Sequence, residues 1–462
     1  MPEFFWDISL RFIFFWGIWL LAPLLVDVSA AINCFWGLYV HSKREKQDPP
    51  LSCKLYQPFI TIIVPVYNSE KTLYKCLESI FMQNYPRNKI QVICVNNGSQ
   101  DNSFEVFQRF QFAHPEMMTI WNSLDRPSKS IALNAGIFSA QGTYIINVDS
   151  DTWLDEEAIM KVAQTFEEDS TLAAATGYIR VDKELGKGFS FMDIINYCEV
   201  VEYMLAFNIG RRYQDIKNTL FTLSGAFSAF RRDVLMQSFM YQERTVSEDT
   251  DLTFQIKKIF SKKKYRVGAI LDSVAYVEPI RSLAALYAQR ARWQRGEIET
   301  VAIHSAGSKG PAIKLWDFGG RMFLTDHTLA LTRLTWTFLI FFLYFLGYAL
   351  QTVFFFVAVL FLCYFLLDAV SLFIYYRTSP DDFKEDVRKI WWIIFLVPFY
   401  RYLVYWFRLA GIILVLTEPK SWRVENPVVQ LREVLREYYL SLKALFTSPG
   451  KYEKKGGEQI EK

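Results

Sequence analysis

The middle of this chain reads as an α/β domain built on a doubly wound, mostly parallel sheet, held between apolar segments on both sides of it in the sequence. Three observations predict this. Phe59-Ile60-Thr61-Ile62-Ile63-Val64 is an unbroken, largely β-branched run, as expected for a strand buried on both faces. Strand-like and helix-like patterns alternate after it, which implies parallel strands joined by helices. The acidic and polar residues suited to chemistry fall just after strand-like runs, where open α/β sheets bind ligands.

Each element follows in order. Pro65-Val66-Tyr67-Asn68 ends the first strand. A helix with Leu73, Leu77, Ile80 and Phe81 on one face comes next, capped by Asn68 or Ser69. A second strand is expected over Ile90–Val95, then the loop Asn96-Asn97-Gly98-Ser99-Gln100-Asp101 and a helix through Phe104, Val106 and Phe110. Further strands are expected at Met118–Trp121, Tyr144–Val148 and Leu172–Val181.

The flanks have a different composition. Overall, 52% of the 462 residues are apolar, a modest excess over the roughly 45–50% of soluble domains, and the excess is concentrated at the two ends. Phe12–Val40 is one apolar stretch, broken by Pro23 and Asp27 and followed by His41-Ser42-Lys43-Arg44-Glu45-Lys46. It suits one tilted membrane span whose basic end is cytosolic, which puts the middle domain in the cytosol. Leu334–Leu367 carries no charge and is too long for one span. Extended to Tyr376, with Asp368 as its only charge, it makes two spans that turn near Gln351-Thr352. Ile390–Leu416 contains Pro398, Arg401 and Arg408 and is expected to lie at the interface or to line a polar path. The resulting division is a membrane helix and basic flank (1–46), a cytosolic domain (47–280), interfacial helices (281–327), membrane helices (328–417) and a charged cytosolic tail (418–462).

Several function classes are excluded. The net charge of +3 is too small to argue for nucleic acid, and no basic block is interleaved with aromatics. The six cysteines are scattered without a C-x-x-C pair, and the four histidines lack metal-ligand spacing. Asn97-Gly98-Ser99 fits a glycosylation sequon, discounted because the expected topology makes it cytosolic.

Asp149-Ser150-Asp151 closes the strand Tyr144–Val148. Two carboxylates one residue apart at a strand end can hold Mg2+ or Mn2+ and bridge it to a diphosphate, although a lone Asp-x-Asp is mostly a solvated turn. Glu248-Asp249 can equally be a helix N-terminus favoured by the dipole. Gln289-Arg290-Ala291-Arg292-Trp293 can be an interfacial helix that snorkels its arginines to lipid phosphates.

Taken in order between apolar flanks, Asp149-x-Asp151, Glu248-Asp249 and Gln289-x-x-Arg292-Trp293 resemble the processive family 2 glycosyltransferases, the cellulose, chitin, hyaluronan and poly-N-acetylglucosamine synthases. There is a fainter likeness to Gram-positive members associated with exosortases. The resemblance runs from Phe59 to Trp293. It is carried also by Val64-Pro65-Val66-Tyr67-Asn68, by Lys129-x-x-Ala132-Leu133-Asn134-x-Gly136, and by Ser224-Gly225-Ala226-Phe227 with Phe230-Arg231-Arg232.

It implies a GT-A fold in a multi-pass plasma-membrane protein of bacterial type, and transfer from a nucleotide-diphosphate sugar, a UDP-sugar, with inversion. The acceptor would be a growing glycan or a lipid-linked saccharide. Pro65, Tyr67, Asn68 and Asn97 would border the nucleotide, and Lys129 would hold the donor. Asp149 and Asp151 would meet nucleoside, diphosphate and the divalent cation. Asp249, beside Glu248, would be the general base. Arg292, helped by Gln289, would stabilise the leaving diphosphate, and Ser224, Gly225 and Trp293 would shape the acceptor site. This chain has Asn96-Asn97 where the family usually has Asp-Asp, which makes the base preference less secure than the reaction class. Two other readings stay open: transfer of one sugar to a lipid, and a catalytically inactive subunit of the same fold.

Overall fold

The computed structural model describes residues 27–29, 31–40, 57–124, 126–260, 265–305 and 349–417, with isolated positions at 342, 344, 345 and 347. Its centre is an eight-stranded sheet ordered β3-β2-β1-β4-β7-β6-β8-β5. The strands are β1 (Ile60–Val66), β2 (Ile90–Asn96), β3 (Met118–Ser123), β4 (Tyr144–Val148), β5 (Thr152–Leu154), β6 (Leu172–Val181), β7 (Phe227–Arg231) and β8 (Arg266–Val277). Every residue of β1 and β4 is buried, as their unbroken apolar runs require.

Helices cover both faces. On one side lie α1 (Leu73–Phe81), α2 (Ser103–Ala113), α4 (Ala158–Glu168) and α5 (Phe191–Tyr203), whose apolar faces share one core with Ile60, Ile62 and Val64. On the other, α3 (Lys129–Ser139), α7 (Arg232–Gln237) and α8 (Glu248–Phe260) pack on Ile63, Ile93, Ile145 and Phe230. A π-helical stretch, Met204–Gly210, joins α5 to α6 (Arg211–Ile216).

The sheet is mixed rather than mostly parallel. β3, β2, β1 and β4 are mutually parallel, but β7 enters antiparallel between β4 and β6, and β5 is antiparallel to β8. β7 was legible in the sequence only as a polar motif followed by Phe230-Arg231. The chain order reverses between β1 and β4, so the residues after those two strands share a crevice.

The apolar C-terminal region contains α10 (Leu350–Thr378), α11 (Asp381–Ile390), a 3₁₀ turn (Trp391–Phe395) and α12 (Val397–Thr417). Val353–Thr378 is long and apolar enough to cross a membrane, with mean hydropathy 2.6; α11 with its turn and α12 form a pair bent by 74°. The turn expected near Gln351-Thr352 is not found there, since both residues lie in the first turn of a helix. Gly347 takes a left-handed φ of 89°, Ala349 is extended, and the helix begins at Leu350. The expected spans over 12–26 and 334–341, the basic flank, residues 306–327 and the charged tail lie outside the described residues. Residues 31–40 are helical, with Leu38 buried, and Asp27 accepts a 2.9 Å hydrogen bond from Tyr364 of α10.

Arg401 pairs at 2.7 Å with Asp368, the one acid of the long apolar run. The snorkelling alternative is corrected for Arg290, which with Arg295 is among the most deeply buried side chains of α9 (Leu283–Ser305). Arg290 pairs with Glu202 at 2.7 Å and reaches the Tyr400 hydroxyl of α12 at 3.2 Å, while Arg295 pairs with Glu299 at 2.9 Å. α9 is therefore packed between the sheet domain and α12, where a lone arginine would be costly and a paired one is tolerated.

Candidate active site

The crevice forms where β1 and β4 end. Pro65 is buried in β1 opposite Val95, and Tyr67 follows, half-buried. Asn68 adopts φ 50°, a conformation Asn tolerates. Its N–H donates to Ser99 Oγ at 3.0 Å, and its Oδ1 accepts from the Gln100 N–H at 2.9 Å. Asn97 N–H donates to Val66 O at 2.7 Å, and its Oδ1 accepts from the Ser128 N–H just ahead of α3. Asn97 thus closes a loop-to-loop joint that an ionised Asp could also make. Ser69 Oγ and Ser150 Oγ lie 2.7 Å apart, fastening the first loop to the Asp149-Ser150-Asp151 turn.

Lys129 opens α3, whose N-cap Ser128 accepts from the Ile131 N–H. Its Nζ lies 2.7 Å from Asp149 Oδ1 and 3.5 Å from Glu248 Oε1. Burial alone would lower the Lys129 pKa, but the Asp149 and Glu248 carboxylates outweigh it and hold the amine well above its ordinary value. Asp151 reaches solvent. Its pKa is raised, first by loss of hydration in the crevice and then by the Asp149 charge, with Lys129 opposing.

Glu248 and Asp249 begin α8, where the helix dipole favours acids. Asp249 Oδ2 accepts from the Gly225 N–H at 3.0 Å and Oδ1 from the Thr250 N–H at 2.7 Å. Burial, and next the adjacent Glu248 charge, push its pKa up to about 6, against the pull of Lys129. Gly225 sits at a close approach: a Cβ there would lie 3.2 Å from Lys129 Nζ and 3.3 Å from Asp249 Oδ2, so those side-chain ends would have to give by a few tenths of an ångström. Ser224 and Phe227 close a turn in which the Phe227 N–H donates to Ser224 O at 3.2 Å, and Ala226 O accepts from the Asp149 N–H at 3.2 Å. One short turn therefore touches both the Asp149 backbone and the Asp249 carboxylate.

α9 seats behind this acidic pair. The Val246 N–H donates to Glu299 Oε2 at 3.0 Å, and Asp251 is held by Arg244 and by His304 Nε2 at 2.7 Å. Along α9, Gln289 is half-buried, and Arg290 lies 4.4 Å from the Trp293 ring centroid, which meets Phe207 edge-on. Arg292 and Trp293 are half-buried.

The fold gathers Lys129, Asp149, Glu248, Asp249 and Gly225 into one centre and sets Gln289 and Trp293 on the helix behind it. Among the described residues no group of three or more His, Cys, Asp or Glu could hold a metal ion by itself. The donor set of Asp149 and Asp151 suits a hard divalent cation that takes its remaining ligands from phosphate oxygens and water. Thr176, Arg211, Glu202 and Tyr400, which brace the site, carry no sequence signal: no motif or spacing in the apolar and mixed patterns around them sets them apart.

A mixed α/β sheet with carboxylates at the β1/β4 switch point, backed by an acidic helix start, fits a GT-A-like fold. The comparisons agree. The sequence model for glycosyl transferase family 2 matches residues 61–239. Poly-beta-1,6-N-acetyl-D-glucosamine synthase of Staphylococcus epidermidis is 25% identical over 242 residues, 52% of this chain and 55% of that protein. The same enzyme of Staphylococcus aureus (strain COL) is 24% identical over the same span. The chain thus aligns with only about half the length of these curated relatives. A mannosyltransferase from Pyrobaculum calidifontis, solved in complex with GDP-Man and Mn2+, superposes with a TM-score of 0.53 at 17% identity, covering 87% of this chain and 100% of its own. At that identity the likeness concerns the fold. Residues 61–239 thus match the family 2 glycosyl transferase model, and about half of the chain is homologous to poly-beta-1,6-N-acetyl-D-glucosamine synthase.

Proposed function

We propose that the protein is a membrane-bound, inverting glycosyltransferase that extends an extracellular polysaccharide from a UDP-sugar at its cytosolic face. The observation that carries the reading is Asp249: a carboxylate fixed by the Gly225 and Thr250 N–H groups, with its pKa raised to about 6, in the centre that contains Lys129 and Asp149. A base so poised is ionised at neutral pH yet basic enough to accept a proton.

Asp249 removes the proton from the acceptor hydroxyl. The acceptor oxygen bonds to the anomeric carbon as the bond from that carbon to the diphosphate oxygen breaks, so configuration inverts and nucleoside diphosphate departs. Lys129 and Arg292 offset the charge on the departing oxygens. Asp149 and Asp151 would hold Mg2+ or Mn2+, whose positive charge would further offset the diphosphate. Tyr67, Asn68 and Asn97 border the nucleotide, Gln289 assists Arg292, and Ser224, Gly225 and Trp293 shape the acceptor side. The Staphylococcus synthases supply the polymer part of the reading, the mannosyltransferase solved with GDP-Man and Mn2+ supports nucleotide-sugar and cation use, and the apolar helix Val353–Thr378 supports the membrane part.

The test is turnover of the full chain in nanodiscs with a panel of nucleotide sugars and Mg2+ or Mn2+, following nucleoside diphosphate and product size together. One donor consumed into long chains supports the reading. Single-sugar products would make it a lipid-directed transferase, and no turnover with any donor would count against catalysis.

A further inference from the structure

The centre contains a buried cation with no role in the mechanism above. Arg211 is 4% exposed and follows directly on the π-helical stretch Met204–Gly210. Wide turns of this kind are rare and concentrate at functional sites. Among the described residues no carboxylate lies within ion-pair distance of Arg211. Its Nη1 donates instead to Thr176 Oγ1 at 2.9 Å and to Gly177 O at 3.2 Å, and its guanidinium lies 4.5 Å from the Phe207 ring centroid. A buried charge without a partnered acid is costly, so its retention calls for a reason.

Thr176 supplies it. This hydroxyl, fully buried in β6, accepts from Arg211 and from the Ser224 N–H at 3.2 Å, and donates to Phe227 O at 3.1 Å. Its one proton and both lone pairs are thereby committed. Ser224 and Phe227 are the two ends of the turn whose middle gives the Gly225 N–H to Asp249 and takes the Asp149 N–H on Ala226 O. The path is continuous: Arg211 to Thr176, Thr176 to both ends of the turn, and the turn to base and donor aspartate alike. Burial lowers the Arg211 pKa while the Asp249 carboxylate raises it, so the two charges sense one another.

We propose that Arg211 is a positioning residue for transfer, acting through Thr176 to hold the Ser224–Phe227 turn against Asp249. It touches no substrate. It sets where the base stands relative to the acceptor; Asp149 meets the turn only through its backbone N–H, and its carboxylate is held separately by Lys129. The proposal rests on the glycosyltransferase reading for its kinetic consequence, but its structural core can be tested without turnover.

The experiment compares Arg211→Met, Arg211→Lys, Thr176→Val and Thr176→Ser in the full chain. Hydrogen–deuterium exchange of the peptide spanning 222–228 reads the turn directly, and kcat, donor KM and the ratio of donor hydrolysis to transfer read its effect. Arg211→Met and Thr176→Val should each lose protection at the turn and lower kcat by ~10- to ~100-fold, because a displacement near 1 Å suffices for that. Donor KM should stay within about twofold, hydrolysis should rise relative to transfer, and the double variant should be no worse than the poorer single one. Thr176→Ser should restore both readouts. Since loss of a buried cation can unfold a protein, Thr176→Val serves as the independent probe. Unchanged protection in Thr176→Val, or multiplicative effects in the double variant, overturns the proposal. An inactive wild type whose turn still loses protection in the variants would sink the function reading and leave the positioning path standing.

Discussion

Gly296 of α9 gives a test of how tightly that helix fixes the base. A Cβ placed on it would lie 2.0 Å from Ser247 Oγ, 2.6 Å from Ser247 Cβ and 2.9 Å from Ser247 N. The hydroxyl can rotate away; the other two atoms cannot. Against a normal contact of about 3.5 Å, Gly296→Ala leaves the Ser247 backbone short by roughly half an ångström and its Cβ by nearly one. Ser247 immediately precedes Glu248 and Asp249, so the shift passes straight into the base. A misplacement of that order costs ~10- to ~100-fold in rate, or roughly 1.4–2.7 kcal/mol of transition-state stabilisation. Overpacking adds ~1–3 kcal/mol of lost stability. The assay is steady-state nucleoside diphosphate release in nanodiscs, with thermal unfolding measured in parallel. Gly296→Ala should fall in kcat and hold its donor KM, and Ser247→Gly placed in the same chain should recover part of the loss. Wild-type kcat in a stably folded Gly296→Ala protein would refute the rigid seating of α9 on the acidic turn.

Three further outcomes follow from the centre and its surroundings. Asp249→Asn should lower kcat by ~10²- to ~10⁴-fold with nucleotide binding intact, and the wild-type rate should fall on acidification through about pH 6 as this base protonates; a rate flat to pH 5 would remove Asp249 from the role. Glu199 is buried, accepts from the Ile280 N–H at 3.2 Å, and has its pKa raised to about 7 by burial, against the pull of Arg290. Folding favours its protonated form, so the stability it contributes is complete below about pH 4.5 and lost as pH rises towards 7. Glu199→Gln should therefore unfold at a higher temperature than wild type at pH 8 and show no such advantage at pH 4.5. Asp151→Asn should raise the Mg2+ or Mn2+ concentration needed for half-maximal turnover at least ~10-fold, about 1.4 kcal/mol, and equal cation curves for variant and wild type would take Asp151 out of the cation site.

Strands buried on both faces were the most legible part of the fold. β1, β2, β4 and β6 lie within two residues of where their apolar runs put them, since such runs have few alternatives. β7, β5 and β8 were not legible. Phe227–Arg231 alternates too briefly to stand out, Thr152–Leu154 has three residues, and no local pattern says which neighbour a strand takes or in which direction. Asp149 was placed by the end of its strand, while the grouping of Lys129 and Asp249 with it came from the family resemblance. Their bracing was not legible: Thr176 hides in an apolar run, Arg211 sits beside a second arginine, and the Glu202–Arg290–Tyr400 contacts join residues far apart in the chain. The snorkelling alternative failed for Arg290 for a related reason: its sequence neighbours do not reveal that an acid, Glu202, waits on another helix.

The packing of α9 against α12 has a practical consequence for anyone seeking a water-soluble catalytic fragment. A chain cut after Ser305 would keep the whole sheet and every motif, and would look complete on paper. It would also strip the cover from Tyr287 and Ala291, which pack with Leu414, and would take away the Tyr400 hydroxyl that Arg290 and Glu202 share. Gly411 lies so close that a Cβ there would sit 2.6 Å from Ala291 O, so no loosely fitting substitute helix would fill the gap. Such a fragment would expose an oily groove holding a half-solvated ion pair on the very helix that seats the base. Misfolding or clumping of that fragment would be a fault of where it was cut, and its silence in an assay would say nothing about the intact protein.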